Sequence, residues 1–369
     1  LFCGLTCGAA VACGSLLAHF ANRYGAPLWL SAGVGWCLAE RLLQSIADSA
    51  GTSADPLRLA IVGSLPLNWL SAAVVRWGGC ATASWAVAGC GGLALDIWKR
   101  PTATAGIPGV VVMALVSGLT DWGQAEPHDV PTTRIAVMPV VSLEILRNAT
   151  AALKTSQAEL LVLPELSIPD WDRGHPLWTE IQRVSAETGV PICFATLRYD
   201  RGQSELRNSV ALVDPRSGIH FVYDKRWPSP IGERQTSWGG MTLLPGSGGA
   251  EINVSAGAAP RESYRLPDGA RVGFGVCHDA CFDGWVREYR RLSTPPVLLV
   301  LCSSEKFDRQ GSSRRVFEMI LRMRAIQAEM SIVRCSGGGS SGCVLSSGRW
   351  SQPAARSAHF TVFKTHLNR

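Results

Sequence analysis

The stretch from residue 271 to residue 285, RVGFGVCHDACFDGW, is the strongest local indication of the fold. Its first residues alternate glycine with apolar side chains and predict a buried strand, and a helix is predicted to begin near Phe282. Cys277 ends the strand, at a position where α/β proteins place reactive groups. Backbone N–H groups at such a turn can activate a thiol and hold an oxyanion. Cys277 is therefore a candidate nucleophile, with a buried structural cysteine as the alternative.

Two further segments place a reactive side chain after a predicted strand. In LLVLPELSIPDWD, Glu165 follows an apolar strand, and a partly buried carboxylate there could serve as a general base. In YDKRWPSPIGER, Lys225 follows a strand and precedes a proline-stiffened loop, and a fixed lysine can stabilise an oxyanion. Glu233, eight residues later, could orient Lys225 or the substrate. For each segment taken alone, an ordinary solvated loop residue is the alternative.

The composition of the 369 residues changes near residue 121. Before this point charges are sparse, and apolar stretches cover residues 2–21, 26–39, 57–75, 77–98 and 107–120. A membrane span needs about 20 mostly apolar residues, so residues 1–121 are predicted to form a transmembrane helical region of four or five spans. An all-helical soluble core is the alternative, but the polar face that such helices need is missing. The chain begins with Leu1 rather than Met, so we expect further sequence upstream.

The remainder of the chain has the pattern of a layered α/β domain. Residues 122–132 are polar, contain proline and are predicted to be a linker, and residues 133–369 are predicted to be the catalytic domain. Strands are predicted at 134–141, 160–163, 190–197, 209–213, 219–223, 271–276, 297–302, 332–335 and 342–346. Helices are predicted at 143–157, 176–188, 282–291 and 314–329. This alternation of strands and helices indicates an α/β fold.

Several functional classes are disfavoured by composition. The net charge of +6 is scattered, and no Lys/Arg run interleaved with aromatic residues indicates direct contact with nucleic acid. A transporter would need intramembrane charges, but the apolar stretches hold almost none apart from Asp96. A metal site built from Cys277, His278, Asp279 and Cys281 is disfavoured because no second ligand pair with suitable spacing follows. The twelve cysteines include no CxxC pair, so they do not indicate a redox compartment.

In chain order, with Glu165 first, Lys225 second and Cys277 third, the three segments resemble the nitrilase, or carbon-nitrogen hydrolase, superfamily over residues 133–350. A fourth stretch, MRAIQAEMSIVRCSGGGSSGCVLSSGRW, is similar to the family's helix–strand–hairpin, in which Arg324 is a structural anchor. The resemblance implies an αββα four-layer sandwich with no cofactor and no metal. It also implies that Cys277 forms a thioester, that Glu165 transfers its proton, and that Lys225 with a backbone N–H stabilises the tetrahedral intermediate. We expect these three side chains to lie within reach of one another.

A nitrilase-type domain behind membrane spans resembles the apolipoprotein N-acyltransferases and, more closely, the TraB-type conjugal-transfer proteins of bacterial plasmids. This resemblance implies a membrane lipid or another acyl donor, an amine or water as acceptor, and proteins of a conjugation apparatus as partners. The chain departs from the acyltransferase pattern at His278, Asp279, the SSEKF stretch that begins at Ser303, and Gln327, which argues against lipoprotein acylation. A catalytically idle scaffold is the rival interpretation, but retention of the triad and Glu233 favours an enzyme.

The basic pair Lys99-Arg100 predicts the orientation of the chain in a bacterial inner membrane. By the positive-inside rule this loop is cytoplasmic, so one further span would place the catalytic domain in the periplasm. A reporter that is active only in the periplasm should therefore work when it is fused after Asp121. A reporter that is active only in the cytoplasm should be silent at the same point, and the reverse result would invert the orientation.

Overall fold

The computed structural model describes residues 132–366 without 171–174, 201–204, 230–232, 234–235, 239–240, 245–252, 304–310 and 338–339, together with isolated positions between residues 12 and 92. Apart from these isolated positions, the predicted spans lie outside the described residues, as does nearly all of the predicted linker. Among the residues that are described, no helix is both long enough and apolar enough to cross a membrane. The chain divides into two compact units, Leu1–Ala125 with Thr236–Met241, and Glu126–Gln235 with Thr242–Arg369.

The helices and strands alternate as the sequence predicts. The strands are β1 (Thr132–Val137), β2 (Leu160–Asp170), β3 (Ile192–Asp200), β4 (Glu205–Asp214), β5 (Gly218–Asp224), β6 (Thr236–Trp238), β7 (Met241–Leu244), β8 (Tyr264–Arg265), β9 (Arg271–Val276), β10 (Leu298–Ser303), β11 (Ser331–Ser336), β12 (Gly342–Val344), β13 (Pro353–Arg356) and β14 (Thr361–His366). The helices are α1 (Leu143–Thr155), α2 (Pro176–Thr188), α3 (Asp283–Arg290) and α4 (Gly311–Ala328), and a 3₁₀ helix covers Cys277–Cys281.

Two sheets form the centre of the domain. The seven-stranded sheet has the order β13-β14-β1-β2-β3-β4-β5, and the five-stranded sheet has the order β12-β11-β10-β9-β8. The central strands β1, β2 and β3 are parallel in the first sheet, as are β9, β10 and β11 in the second. Strands β6 and β7 form a separate pair. Because parallel strands need crossover connections, helices lie between them along the chain.

The sheets face each other and carry helices on their outer sides. Strand β2 contacts β10 and β11 across the interface, and β4 contacts β9. Helices α1 and α2 pack on the seven-stranded sheet through a buried apolar cluster that includes Leu146, Leu153, Ile181, Leu161 and Phe194. Helices α3 and α4 pack together on the other side, where α4 contacts β11 and β12. This is the α/β fold that the sequence pattern predicts, in the αββα four-layer arrangement that the resemblance implies.

Local signals explain where the first two helices begin and end. The Ser142 side chain accepts a hydrogen bond from the Ile145 backbone N–H at 3.1 Å and caps α1. Helix α2 begins with Pro176, and the missing N–H of proline costs no intrahelical hydrogen bond at this position. The helix ends at Thr188, and Gly189 caps it with φ +73, in the left-handed region that favours glycine. The bounds of α2 therefore agree with the predicted ones.

The structure corrects several of the predicted bounds. Strand β2 runs to Asp170 instead of ending at Leu163, because pairing with β3 continues beyond Pro164 with shifts in register. Helix α3 begins at Asp283 instead of Phe282, and a 3₁₀ helix over Cys277–Cys281 precedes it. The predicted strand set ended with 342–346, but β13 and β14 follow. Their place in the sheet depends on pairing between β14 and β1, which are far apart in sequence.

Close packing of a glycine in β9 generates a prediction on stability. A Cβ added at Gly275 would lie 2.6 Å from the Trp285 ring, which is buried and donates a hydrogen bond from Nε1 to the Phe274 oxygen. We expect Gly275→Ala to lower the free energy of unfolding by about 1–3 kcal/mol, because overpacking forces the ring to move. Denaturant titration of the full chain measures the change.

Gly337→Ala is the matched control for this measurement. The nearest atom to a Cβ added there is Pro164 Cβ at 3.6 Å, which is an ordinary van der Waals contact. The control should therefore remain close to wild type in stability. Equal losses in the two variants would show that close contact with Trp285 is not what requires glycine at position 275.

Candidate active site

The three predicted reactive residues are delivered by different strands of the two sheets. Glu165 lies within β2, where the pairing register with β3 shifts on both sides of it. Lys225 directly follows β5 of the same sheet, and Cys277 directly follows β9 of the other sheet. All three side chains are buried. Because the sheets pack face to face, the candidate site lies where the two sheets meet.

Lys225 is held between two carboxylates. Its Nζ lies 3.2 Å from Glu165 Oε1 and 2.7 Å from Glu233 Oε2, and its side chain is only 2 % exposed. Burial alone would lower the pKa of Lys225, but the negative charges of Glu165 and Glu233 outweigh it and raise this pKa above its ordinary value. Lys225 is therefore a fixed ammonium group. The structure brings the predicted Glu233 into the site through this contact.

Glu233 is itself held in its charged form. Burial would raise its pKa, but the nearby Lys225 charge, with hydrogen bonds from Lys225, the Ser229 backbone and Asn208, lowers it below the ordinary value. The Ser229 N–H donates to Oε2 at 2.6 Å. A carboxylate with this many donors has little freedom to move, so Glu233 restricts the position of the Lys225 ammonium group.

Asn208, in β4, belongs to the same cluster and was missed from the sequence. Its Nδ2 donates to Glu165 Oε1 at 2.8 Å and to Glu233 Oε1 at 2.7 Å. Its backbone oxygen accepts from the Lys225 N–H at 2.7 Å. The amide nitrogen must face the carboxylates, because an oxygen there would have no proton to donate to either. The one sequence signal was a lone amide beside an apolar run, in LRNSVALV.

Cys277 occupies a constrained position at the start of the 3₁₀ helix. Its φ is +44, in the left-handed region that non-glycine residues rarely adopt, and strained residues of this kind cluster at active sites. The thiol is not part of a disulfide, and Ser303 Oγ donates a hydrogen bond to Sγ at 3.8 Å. Cys277 is also close enough to Lys225 to raise the pKa of that lysine. Glu165 and Lys225 are thus in direct contact, and Cys277 is near enough to Lys225 to act on its charge.

Asp279 connects the residues on both sides of Lys225 to the turn that contains Cys277. Its Oδ1 accepts from the Trp227 N–H at 3.0 Å, and its Oδ2 accepts from the Val276 N–H at 2.9 Å and the Tyr223 hydroxyl at 3.0 Å. Tyr223 and Trp227 lie two residues before and after Lys225. Burial raises the pKa of Asp279 to about 7, although Lys225 and the hydrogen bonds oppose this rise. Asp279 is therefore a positioning residue.

His278 is a buried neutral ring. Its Nδ1 lies 3.3 Å from the Trp227 oxygen, and the ring packs edge-on against Phe282. Burial, aided by the positive charge of Lys225, lowers the pKa of His278 to about 4. The ring therefore carries no charge at neutral pH. In the part of the chain that the structure describes, no group of three or more His, Cys, Asp or Glu side chains could hold a metal ion.

Arg324 of α4 supports the turn that follows the nucleophile. Its Nε donates to the Ala280 oxygen at 2.9 Å, and Nη2 donates to the Cys281 oxygen at 2.6 Å. Its Nη1 contacts the Asp283 carboxylate and donates to Gln327 Oε1 at 2.9 Å. These bonds satisfy carbonyl groups that the short 3₁₀ helix leaves without intrahelical partners. Arg324 thus has the anchoring position that the family resemblance implied.

Comparison with known proteins places these features in context. A family model described as carbon-nitrogen hydrolase matches residues 111–351 of the chain. No curated protein matches it. The chain is similar to the solved structure of an amidase from Nesterenkonia sp., with 16% identity, coverage of 64% of this chain and 91% of that chain, and a TM-score of 0.46. It is also similar to a carbon-nitrogen hydrolase from Helicobacter pylori G27, with 15% identity, coverage of 64% and 89%, and a TM-score of 0.46.

Because His278 is buried and neutral, we expect it to make the folded state less stable in acid. Between pH 6.5 and pH 4 the unfolded chain protonates this histidine while the folded chain does not, so the folded state loses stability as the pH falls. Over this window we expect wild type to lose about 3 kcal/mol relative to His278→Phe, because each pH unit corresponds to about 1.4 kcal/mol. Denaturant titrations at several pH values measure this difference.

A second variant separates titration of His278 from lost packing. His278→Gln also lacks the titrating ring, but it packs differently against Phe282. Both variants should show the same reduced pH dependence, whatever their stability at pH 7. If both follow the wild-type curve from pH 6.5 to pH 4, the burial of a neutral histidine does not contribute to acid sensitivity.

Proposed function

The chain belongs to the carbon-nitrogen hydrolase family and is an enzyme of the hydrolase or acyltransferase type, and from this premise we propose that it transfers an acyl group through a thioester on Cys277. The observation that carries the proposal is the Lys225 ammonium group, held 3.2 Å from Glu165 and 2.7 Å from Glu233 beside the cysteine. A thiol, a carboxylate and a fixed cation are the groups that nucleophilic acyl transfer needs.

The first half of the reaction forms the thioester. Glu165 accepts the thiol proton of Cys277, and the sulfur attacks the carbonyl carbon of the donor. Lys225 and a backbone N–H at the cysteine turn stabilise the oxyanion of the tetrahedral intermediate. The carbon–leaving group bond then breaks, and the leaving group takes the proton from Glu165. Because Lys225 and Asn208 both donate to Oε1 of Glu165, we assign proton transfer to Oε2.

The second half of the reaction releases the acyl group. Water or an amine attacks the thioester carbonyl and gives a proton to Glu165, which passes it to the departing thiolate of Cys277. The products are a free acid with water, or a new amide with an amine. Neither half-reaction changes an oxidation state, so the proposed chemistry needs no redox cofactor. Lys225 stabilises both tetrahedral intermediates, since the oxyanion develops on the acyl carbonyl oxygen in each.

The proposed location of the enzyme is the bacterial inner membrane. The apolar residues 1–121 support a membrane anchor in the bacterial inner membrane, with the catalytic domain in the periplasm. The resemblance to TraB-type proteins supports a role in plasmid conjugal transfer, alongside proteins of the conjugation apparatus. The donor would be a membrane lipid or another acyl compound, and the acceptor an amine or water. The residues that depart from the acyltransferase pattern, including Asp279, argue against a lipoprotein acceptor.

Substitution of two neighbouring cysteines tests the mechanism. Cys277→Ala should abolish the acyl adduct in intact-mass spectra of the protein incubated with donor, because no other group can replace the nucleophile. Cys281→Ala is the matched control, since its backbone oxygen still accepts from Arg324, and it should form the adduct normally. Lys225→Ala should slow acylation on the order of a hundredfold or more. Glu165→Gln should reduce acylation without loss of folding.

A functional assay of wild type, Cys277→Ala and Cys281→Ala at equal protein levels distinguishes an enzyme from a scaffold. Conjugation frequency is the measurement, and only Cys277→Ala should reduce it. Equal performance of the three proteins, with no adduct on wild type, would retire the acyl-transfer mechanism. The chain would then serve the process through its fold alone.

A further inference from the structure

Two buried residues that the mechanism above does not use lie beside the nucleophile. Ser303, the last residue of β10, donates a hydrogen bond from Oγ to Cys277 Sγ at 3.8 Å. Arg334, within β11, donates from Nη2 to the same Ser303 Oγ at 3.1 Å. Both side chains are fully buried. A continuous path of hydrogen bonds therefore runs from a guanidinium group to the reactive sulfur.

The two strands bring these side chains together by register. Strands β10 and β11 are parallel, with Leu301 opposite Arg334 and Ser303 opposite Ser336. Residues two apart on a strand share a face of the sheet, and so do paired residues on neighbouring strands. Arg334 and Ser303 are therefore diagonal neighbours on one face. Their contact follows from the pairing of two central strands and does not depend on a loop.

Other contacts hold the guanidinium group of Arg334 in place. Its guanidinium lies over the Phe317 ring, 4.5 Å from the centroid, and Nη1 donates to the backbone oxygen and the Oγ of Ser340 at 3.2 and 3.1 Å. A guanidinium group remains charged under all conditions and can only donate hydrogen bonds. The Ser303 oxygen must therefore act as acceptor in this contact, which leaves the hydroxyl proton to be donated.

The charges around Cys277 disfavour a thiolate there, so a hydrogen-bonded positive charge would help to stabilise it. Two carboxylates and one ammonium group form the Glu165–Lys225–Glu233 cluster, which leaves a net negative charge next to the thiol. When Glu165 takes the thiol proton, a negative charge moves to the buried Cys277 sulfur, and buried charges are costly unless they are paired and hydrogen-bonded. Arg334 is a buried positive charge that Ser303 connects to the sulfur.

We propose that Ser303 stabilises the Cys277 thiolate by hydrogen bonding, and that Arg334 is the positioning residue that orients and polarises the Ser303 hydroxyl. The proposal rests on the nucleophilic role of Cys277 given above. Ser303 touches the reacting atom, whereas Arg334 acts through Ser303. Ser303 also begins the SSEKF stretch in which the chain departs from the acyltransferase pattern, so this contact is a property of this sequence.

Alkylation of Cys277 by iodoacetamide across a range of pH tests the proposal on the full chain. The rate is followed by peptide mass at Cys277 alone, so the other cysteines do not contribute. Ser303→Ala should slow alkylation at pH 7 by about tenfold and move the midpoint of the pH profile about one unit higher, because a thiolate that loses a charge-assisted hydrogen bond forms less readily. Ser303→Thr keeps a hydroxyl group and should retain the wild-type midpoint.

Two further variants test the part played by Arg334. Arg334→Gln should raise the midpoint as Ser303→Ala does. Ser336→Ala is the matched control, because Ser336 ends the adjacent strand and accepts a hydrogen bond from the same guanidinium at 3.4 Å. This variant should keep the wild-type midpoint. If Arg334→Gln fails to fold, the comparison of Ser303→Ala with Ser303→Thr decides the role of the hydroxyl group.

An unchanged midpoint in Ser303→Ala would overturn the proposal. The measurement uses no substrate, so its outcome is independent of whether an acyl adduct forms. Adduct formation with unchanged midpoints would reject the Ser303–Arg334 path and leave the proposed function standing. A shifted midpoint without any adduct would support the path and count against acyl transfer.

Discussion

The ammonium group of Lys225 is the buried charge on which the arrangement of the site depends. Removing an ammonium ion from water costs several kcal/mol, and this cost is offset only when carboxylates and hydrogen bonds surround it. Glu165 and Glu233 provide the carboxylates, and Asn208 holds both of them. Strands β2, β4 and β5 must therefore remain in register near this point, since each carries or adjoins one of these groups.

The second sheet supplies the nucleophile to this charged cluster, and several bonds hold the two parts together. Asp279 joins the cysteine turn to the residues on both sides of Lys225. Arg324 holds the carbonyl groups of the same turn from α4. These links are directional and are buried or partly buried, so a small movement of either sheet would leave polar groups without partners. The site is therefore a property of the packed interface between the sheets, and not of one loop.

Much of the α/β pattern and the main site residues could be predicted from the sequence for local reasons. Glu165, Lys225 and Cys277 follow apolar runs of strand character, and each stands within a short motif. Asn208, Ser303 and Arg334 could not be found in this way, because each belongs to an apolar strand whose neighbours across the sheet are unknown until the strands pair. The same reason explains why β13 and β14 were missed, since β14 finds its partner at the other end of the domain.

Local sequence predicted most of the strands and helices and marked Glu165, Lys225 and Cys277 as candidate reactive residues, because periodicity and turn residues act over a few positions. The apolar residues 1–121 also predict membrane spans. Only the tertiary structure decided how the groups are charged and joined. The raised pKa of Lys225, the neutral ring of His278 and the path from Arg334 to Cys277 all depend on burial and on distances between residues far apart in sequence. Such effects arise only after the two sheets pack and exclude water.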